Sequence, residues 1–256
     1  MKRLISCLLL LLGGCGHISG PSPGITPTPQ VNADGLNSAR VHTELAANYY
    51  GRRQFDVALE ELGIALKAYP NYGQAYNLLG LVYMELKEDT KAGQSFEQAL
   101  KINPNDSESN NNYGWFLCQR RDPAKSIAYF AAAQRDPLYT TPERSLVNAG
   151  ICSRKINDSV GAEKYFRDAL ALQPNQSQAL YNLADLSYQR GDFEESRRYL
   201  IRYMRAEVPT LDALWLAVRT ERRLSDRTAE ASFAAQLCRR FPDARECQLV
   251  KMGSDR

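Results

Sequence analysis

Histidine is almost missing from this chain. Its 256 residues contain two, His17 and His42, and neither sits in a cluster of ligands or catalytic partners. Imidazole acid–base catalysis and His-rich metal sites therefore lose their usual carriers. No Cys-x-x-Cys pair stands in for them, so no metal is expected. An excess of one charge is also lacking, with 32 Lys and Arg against 29 Asp and Glu. Without a strong basic footprint there is no electrostatic case for nucleic acid as a partner. Long apolar runs are absent too: the longest, Leu4–Leu12, has nine residues, against the ~20 that span a bilayer. No nucleophile, base or metal set gathers anywhere in the sequence. The chain is therefore read as not an enzyme, with no cofactor and no small-molecule substrate. The composition itself, 44% hydrophobic and 24% charged, is that of an ordinary folded protein.

The short apolar run follows Lys2 and Arg3, the arrangement of a secretory leader. It ends in Leu12-Gly13-Gly14-Cys15, a lipobox: Leu at −3, two small residues that leave room for the peptidase, then the thiol that receives diacylglycerol. Residues 1–14 are thus expected to be a lipoprotein signal peptide and Cys15 the lipid anchor. At ~0.8 kcal/mol per buried methylene, more than one acyl chain makes attachment effectively permanent. Gly16, and not Asp, follows the cysteine. By its resemblance to Gram-negative lipoproteins, that choice implies the periplasmic face of the outer membrane. Residues 15–38 are rich in Gly, Ser, Pro, Thr and Asn and read as a tether.

From Ala39 the sequence repeats. Units start at residues 39, 73, 107, 143, 177 and 211; four of the spacings are 34 residues and one is 36, the period of the tetratricopeptide helix–turn–helix repeat. Unit position 8 is small (Ala46, Gly80, Gly114, Gly150, Ala184) until Val218. Position 20 is Ala58, Ala92, Ser126, Ala162, Ser196 and Glu230. Position 24 is mostly bulky (Leu62, Phe96, Phe130, Phe166, Leu200, then Ala234), and prolines such as Pro70, Pro104 and Pro174 follow. The two helices of a unit cross closely at the small positions, the bulky residue fills the gap to the next unit, and proline ends the second helix. The fold class expected is all-α: a right-handed superhelical solenoid of six such repeats over residues 39–244, with 245–256 as a tail. Such a scaffold holds an extended peptide or a partner helix on the face lined by its first helices.

Cys7 would leave with the leader and Cys15 would carry lipid, so four cysteines remain for an oxidising compartment. Cys118 and Cys152 fall on the first helices of adjacent units, and Cys238 and Cys247 bracket the turn at Phe241-Pro242. Two disulfides are expected. Near-neighbour pairing is geometrically plausible, although spacing alone does not fix it.

A narrower resemblance lies in units three and four. Asn111-Asn112-Tyr113-Gly114-Trp115-Phe116-Leu117-Cys118-Gln119, Asp136-Pro137-Leu138-Tyr139 and Asn148-Ala149-Gly150-Ile151-Cys152 resemble the type IV pilus biogenesis lipoproteins called PilF or PilW. The likeness covers essentially the whole mature chain. The 36-residue spacing with its Pro-Leu-Tyr insert belongs to that family's pattern and not to generic repeats. The pair Cys238 and Cys247 and the C-terminal basic cluster have no match in that motif. The resemblance implies a pilotin, which helps the outer-membrane secretin of the pilus reach its membrane and form its ring. The secretin is then the partner, along with the outer membrane through the anchor. The competing reading is a lipoprotein adaptor for β-barrel assembly or for recruiting peptidoglycan enzymes.

Positions 2, 5, 9 and 12 of each first helix face the groove in such repeats. The groove candidates are Gln74, Asn77, Leu81, Met84, Asn111, Arg144, Tyr181, Asp185 and Tyr188. Trp115 and Ile151 share those positions but, beside the expected disulfide, are read as packing. Asn112, Asn148 and Asn182 at position 6 are read as structural. Arg197, Arg198, Arg202, Arg205, Arg219, Arg222, Arg223 and Arg227 are interleaved with acids and are read as a solvated, salt-bridged face. The sharper alternative is a patch for lipid headgroups, lipopolysaccharide or an acidic partner.

Overall fold

The computed structural model describes residues 33–253. The leader and the anchor Cys15 lie outside the described residues. Among those residues there are thirteen helices and no strand. Six helix pairs follow one another: α1 (Ala33–Gly51) with α2 (Phe55–Ala68), α3 (Gly73–Glu85) with α4 (Asp89–Ile102), α5 (Ser107–Arg120) with α6 (Pro123–Ala133), α7 (Pro142–Lys155) with α8 (Ser159–Leu172), α9 (Ser177–Arg190) with α10 (Phe193–Ala206), and α11 (Leu211–Arg223) with α12 (Arg227–Arg240). A short α13 (Arg245–Lys251) closes the described chain. The first, or A, helix of each pair packs on its own B helix and on the A helix of the next pair. This is the tetratricopeptide solenoid, with the A helices in one continuous row.

What sets the spacing within a pair is a match of volumes. Phe96, Phe130 and Phe166 are fully buried, each with its ring against a glycine of the partner helix. A Cβ on Gly80, Gly114 or Gly150 would stand 2.5, 2.9 or 2.6 Å from those rings. The outer units use another solution to the same volume: Ala46 with Leu62, and Ala184 with Leu200, all buried. A smaller knob thus accompanies each larger socket residue. Unit six inverts the pattern with a buried Val218 and Ala234.

Local signals agree with these elements. The B helices α6, α8, α10 and α12 start at Asp122, Asp158, Asp192 and Asp226, whose carboxylates accept backbone N–H bonds of the first turn. Between A and B the chain turns through a left-handed residue at unit position 15: Arg53, Lys87, Asn157, Gly191 and Ser225 all have positive φ. Only Gly191 adopts it without a Cβ penalty.

Three boundaries differ from the sequence expectations. The tether was expected to run to residue 38, but α1 begins at Ala33. Asp34 in its first turn complements the helix dipole, and Gly35, Ala39, Thr43 and Ala46 form one buried stripe. Gly35 is a small contact on that stripe and not a linker residue. The expected tail contains α13, whose Cys247 and Leu249 are buried. The fourth unit opens at Pro142, one residue early, because proline suits the first helical position.

Two disulfides staple the array. Cys118 joins Cys152, with Cα atoms 5.9 Å apart, linking α5 to α7 across the long 36-residue step. Cys238 joins Cys247, with Cα atoms 5.0 Å apart, and fixes α13 to α12. Within the long step, the Tyr139 hydroxyl donates to Glu108 at 3.3 Å, and burial pushes that hydroxyl up to about 12. The insert is therefore docked against α5.

Three outcomes follow, each read as a shift of a denaturant unfolding curve. Gly150→Ala is expected to destabilise by about 1–3 kcal/mol through overpacking. Adding Phe166→Leu restores part of that loss, with a favourable coupling of about 0.5–3 kcal/mol; strictly additive effects contradict the volume match. Removing the longer disulfide as Cys118→Ala/Cys152→Ala costs roughly 3–4 kcal/mol. Cys238→Ala/Cys247→Ala costs about 2–3 kcal/mol because it closes a shorter loop.

Candidate functional site: the row of A helices

The A helices carry a polar seam from α3 to α9. Asn112 donates to Asn77 at 3.2 Å, Asn111 to Asn112 at 3.3 Å and Asn148 to Asn111 at 3.0 Å. This amide ladder crosses α3, α5 and α7. The Arg154 guanidinium of α7 continues it by donating to Asn182 at 2.7 Å and pairing with Asp185 on α9. Lys155 Nζ reaches back to Gln119 Oε1 at 2.6 Å. Neutral amides suit this role because each supplies donor and acceptor at once, which lets a buried row satisfy itself.

That ladder corrects two of the groove candidates. Asn111 is 1% exposed and Asn77 is 8% exposed, and both amides are occupied by neighbouring units. They bind the array together and present no surface to a ligand. The remaining candidates are accessible to different degrees. Gln74 is exposed and accepts from Tyr72, while Arg144 is exposed and pairs with Glu108 at 3.6 Å. Leu81 and Met84 are half-buried against the second and third units. Tyr181, Asp185 and Tyr188 are half-buried along α9. Burial pushes the Tyr181 hydroxyl up to about 12, so it remains a hydrogen-bond donor throughout the physiological range. Trp115 packs against the Cys118–Cys152 disulfide and Ile151 against the core of units four and five. Both are packing residues.

Within the arginine-rich stretch, several side chains are paired with acids. Arg197 bridges α10 to α11, with Nε at 3.0 Å from both oxygens of Glu221, a carboxylate only 4% exposed. A buried carboxylate of this kind depends on its partner. Arg222 pairs with Glu230 at 2.7 Å, and Arg227 with Glu230 at 3.0 Å. Arg167 and Arg190 share Glu163 and Glu195 in a four-charge network over α8, α9 and α10. These form the salt-bridged face expected from the interleaving of acids. Arg202, which donates to the Pro174 carbonyl at 2.7 Å, and Arg219 and Arg223 do not join it. Arg219 lies 4.5 Å above the Tyr188 ring, and Arg223 lies 4.8 Å above the Phe193 ring. The groove rule, carried one unit further, would have found Arg219, which holds position 9 of unit six as Asp185 does in unit five.

Among the described residues, no group of three His, Cys, Asp or Glu side chains could hold a metal. No helix there is long and apolar enough to cross a membrane. His42, one of the two histidines, is half-buried with Nδ1 at 2.6 Å from Glu61. The row offers side-chain amides, aromatic faces and a few cations on a rigid surface, which is the equipment for holding a polypeptide.

Comparison with known proteins agrees with this geometry. Tetratricopeptide repeat models match residues 43–107, 95–128 and 157–220. A type IV pilus assembly protein, PilF of Pseudomonas aeruginosa, is 29% identical over 217 residues, covering 84% of this chain and 85% of that protein. The solved structure of Pseudomonas aeruginosa PilF superposes with a TM-score of 0.80 at 25% identity, covering 86% of this chain and all of the other. The structure of PilW, described as a widely conserved type IV pilus biogenesis factor, gives a TM-score of 0.74 at 38% identity, covering 83% of this chain and 97% of that one. These matches make the chain a member of the PilF/PilW family of tetratricopeptide type IV pilus biogenesis factors.

Proposed function

We propose that this chain is an outer-membrane pilotin: a non-enzymatic lipoprotein, anchored through Cys15, that captures the type IV pilus secretin and promotes its assembly into a ring. The observation that carries the reading is the near-complete match to PilW at 38% identity, together with an A-helix row furnished for holding a polypeptide. The tether residues and the anchor supply the second half of the mechanism. A lipidated chain is confined to the membrane surface, so a secretin segment held in its groove meets other subunits at a raised local concentration. Ring formation then outpaces aggregation of subunits in the periplasm. The scaffold itself need only be rigid, which the amide ladder and the disulfide across the long step provide.

The test is a blot of outer-membrane fractions for heat- and detergent-resistant secretin multimers. Cells lacking the chain are expected to lose the multimers. Cells carrying Cys15→Ser are expected to show depleted or mislocalised multimers although the repeat domain is made. Unchanged multimers in both strains contradict the reading.

A further inference from the structure

At the C-terminal end of the A-helix row lies a cavity of about 450 Å³ between units five and six. Its walls are the rings of Tyr188 and Phe193, packed edge to face with centroids 5.3 Å apart. Arg219 and Arg223 stand over those two rings. The two arginines are four residues apart on α11, hence on the same face, one turn apart.

Asp185 and Arg190 also line the cavity, but both are already engaged. Asp185 pairs with Arg154 and accepts from Gln189 at 2.8 Å, and Arg190 pairs with Glu163 and Glu195. Among the described residues, neither Arg219 nor Arg223 meets a carboxylate. The neighbouring Arg197, Arg222 and Arg227 all do. Two cations are thus held in place by aromatic faces, which orient a guanidinium without neutralising it. A guanidinium lying on a ring keeps its N–H edges available, and their fork matches the two oxygens of a carboxylate.

From this arrangement we infer that the cavity is a carboxylate receptor. It takes an extended peptide segment in which an acidic group stands beside an apolar side chain, the acid between Arg219 and Arg223 and the apolar group against Tyr188 and Phe193. A peptide fits better than a lipid headgroup because Asp185, Tyr188 and Arg219, which line the cavity, hold the A-helix positions that face the groove in such repeats. The inference goes beyond the secretin reading and stands without it, since it concerns which chemistry this end of the row accepts.

Calorimetric titration of the purified full chain tests it with four probes: a short capped peptide containing Glu-Leu-Glu, its capped Gln-Leu-Gln analogue, the same analogue with a free carboxyl terminus, and inorganic phosphate. Binding of the capped Glu peptide assigns a side-chain carboxylate; binding confined to the free-terminus analogue assigns the chain end. In either case Arg219→Gln/Arg223→Gln is expected to weaken binding by about tenfold or more. Arg223→Gln alone, a change at an exposed position, gives a smaller loss with an unchanged circular dichroism spectrum. No peptide binding, equal binding of the capped neutral analogue, undiminished binding by the double variant, or phosphate binding as tight as the peptide each overturns the proposal. The secretin blot reads out independently of all four.

Discussion

Every level of this structure rests on how closely two helices can cross within one repeat. A glycine on the A helix admits a phenylalanine ring from the B helix, and an alanine admits a leucine. The pair volume is kept while the individual residues change. Because packed interiors tolerate neither voids nor overlap, this one match sets the angle and distance within each pair. Repetition at a 34-residue period then propagates the setting along the chain. The A helices fall into a row because each pair presents the same face to the next, and a continuous face is the consequence of that row.

The row is held in register by interactions of another kind. Asn77, Asn112, Asn111 and Asn148 exchange hydrogen bonds from unit to unit, and Arg154 and Arg197 carry the links onward through Asn182, Asp185 and Glu221. At the 36-residue step, where the period is broken, a covalent bond between Cys118 and Cys152 stands beside the amide ladder. Hydrophobic volume sets each pair, polar complementarity aligns neighbouring pairs, and the disulfide spans the irregular step. A surface built this way is preorganised, so a bound segment does not have to order it first.

Much of this was legible in the sequence, for a physical reason. Repeat proteins make only near-neighbour contacts, so a periodic pattern of small and bulky residues determines the fold without long-range information. Positions 8 and 24 and the long step could be read that way, whereas the cysteines showed that two disulfides were to be expected and left their pairing to the structure. Composition misled at Ala33–Ser38, where Gly and Ser look like linker but the residues are helical and Gly35 begins the contact stripe of α1. The groove rule misled at Asn77 and Asn111, because position on a helix face does not reveal whether a neighbouring amide has already claimed the side chain. Arg219 and Arg223 were hidden among six other arginines. Telling a cation held by an acid from one held by a ring requires three-dimensional neighbours, and Tyr188 and Phe193 come from the preceding unit.

Family membership in the type IV pilus biogenesis factors and the A-helix row support the proposal that this chain holds another polypeptide. The central claim is that the row of A helices, and not the B-helix side, makes that contact. Site-specific photocrosslinking in living cells tests it most directly, with the reactive group placed at Leu81 or Tyr181 on A helices and at Val160 or Leu172 on a B helix. The expected result is a secretin adduct from Leu81 or Tyr181 and none from Val160 or Leu172. Adducts arising only from the B-helix positions would contradict it.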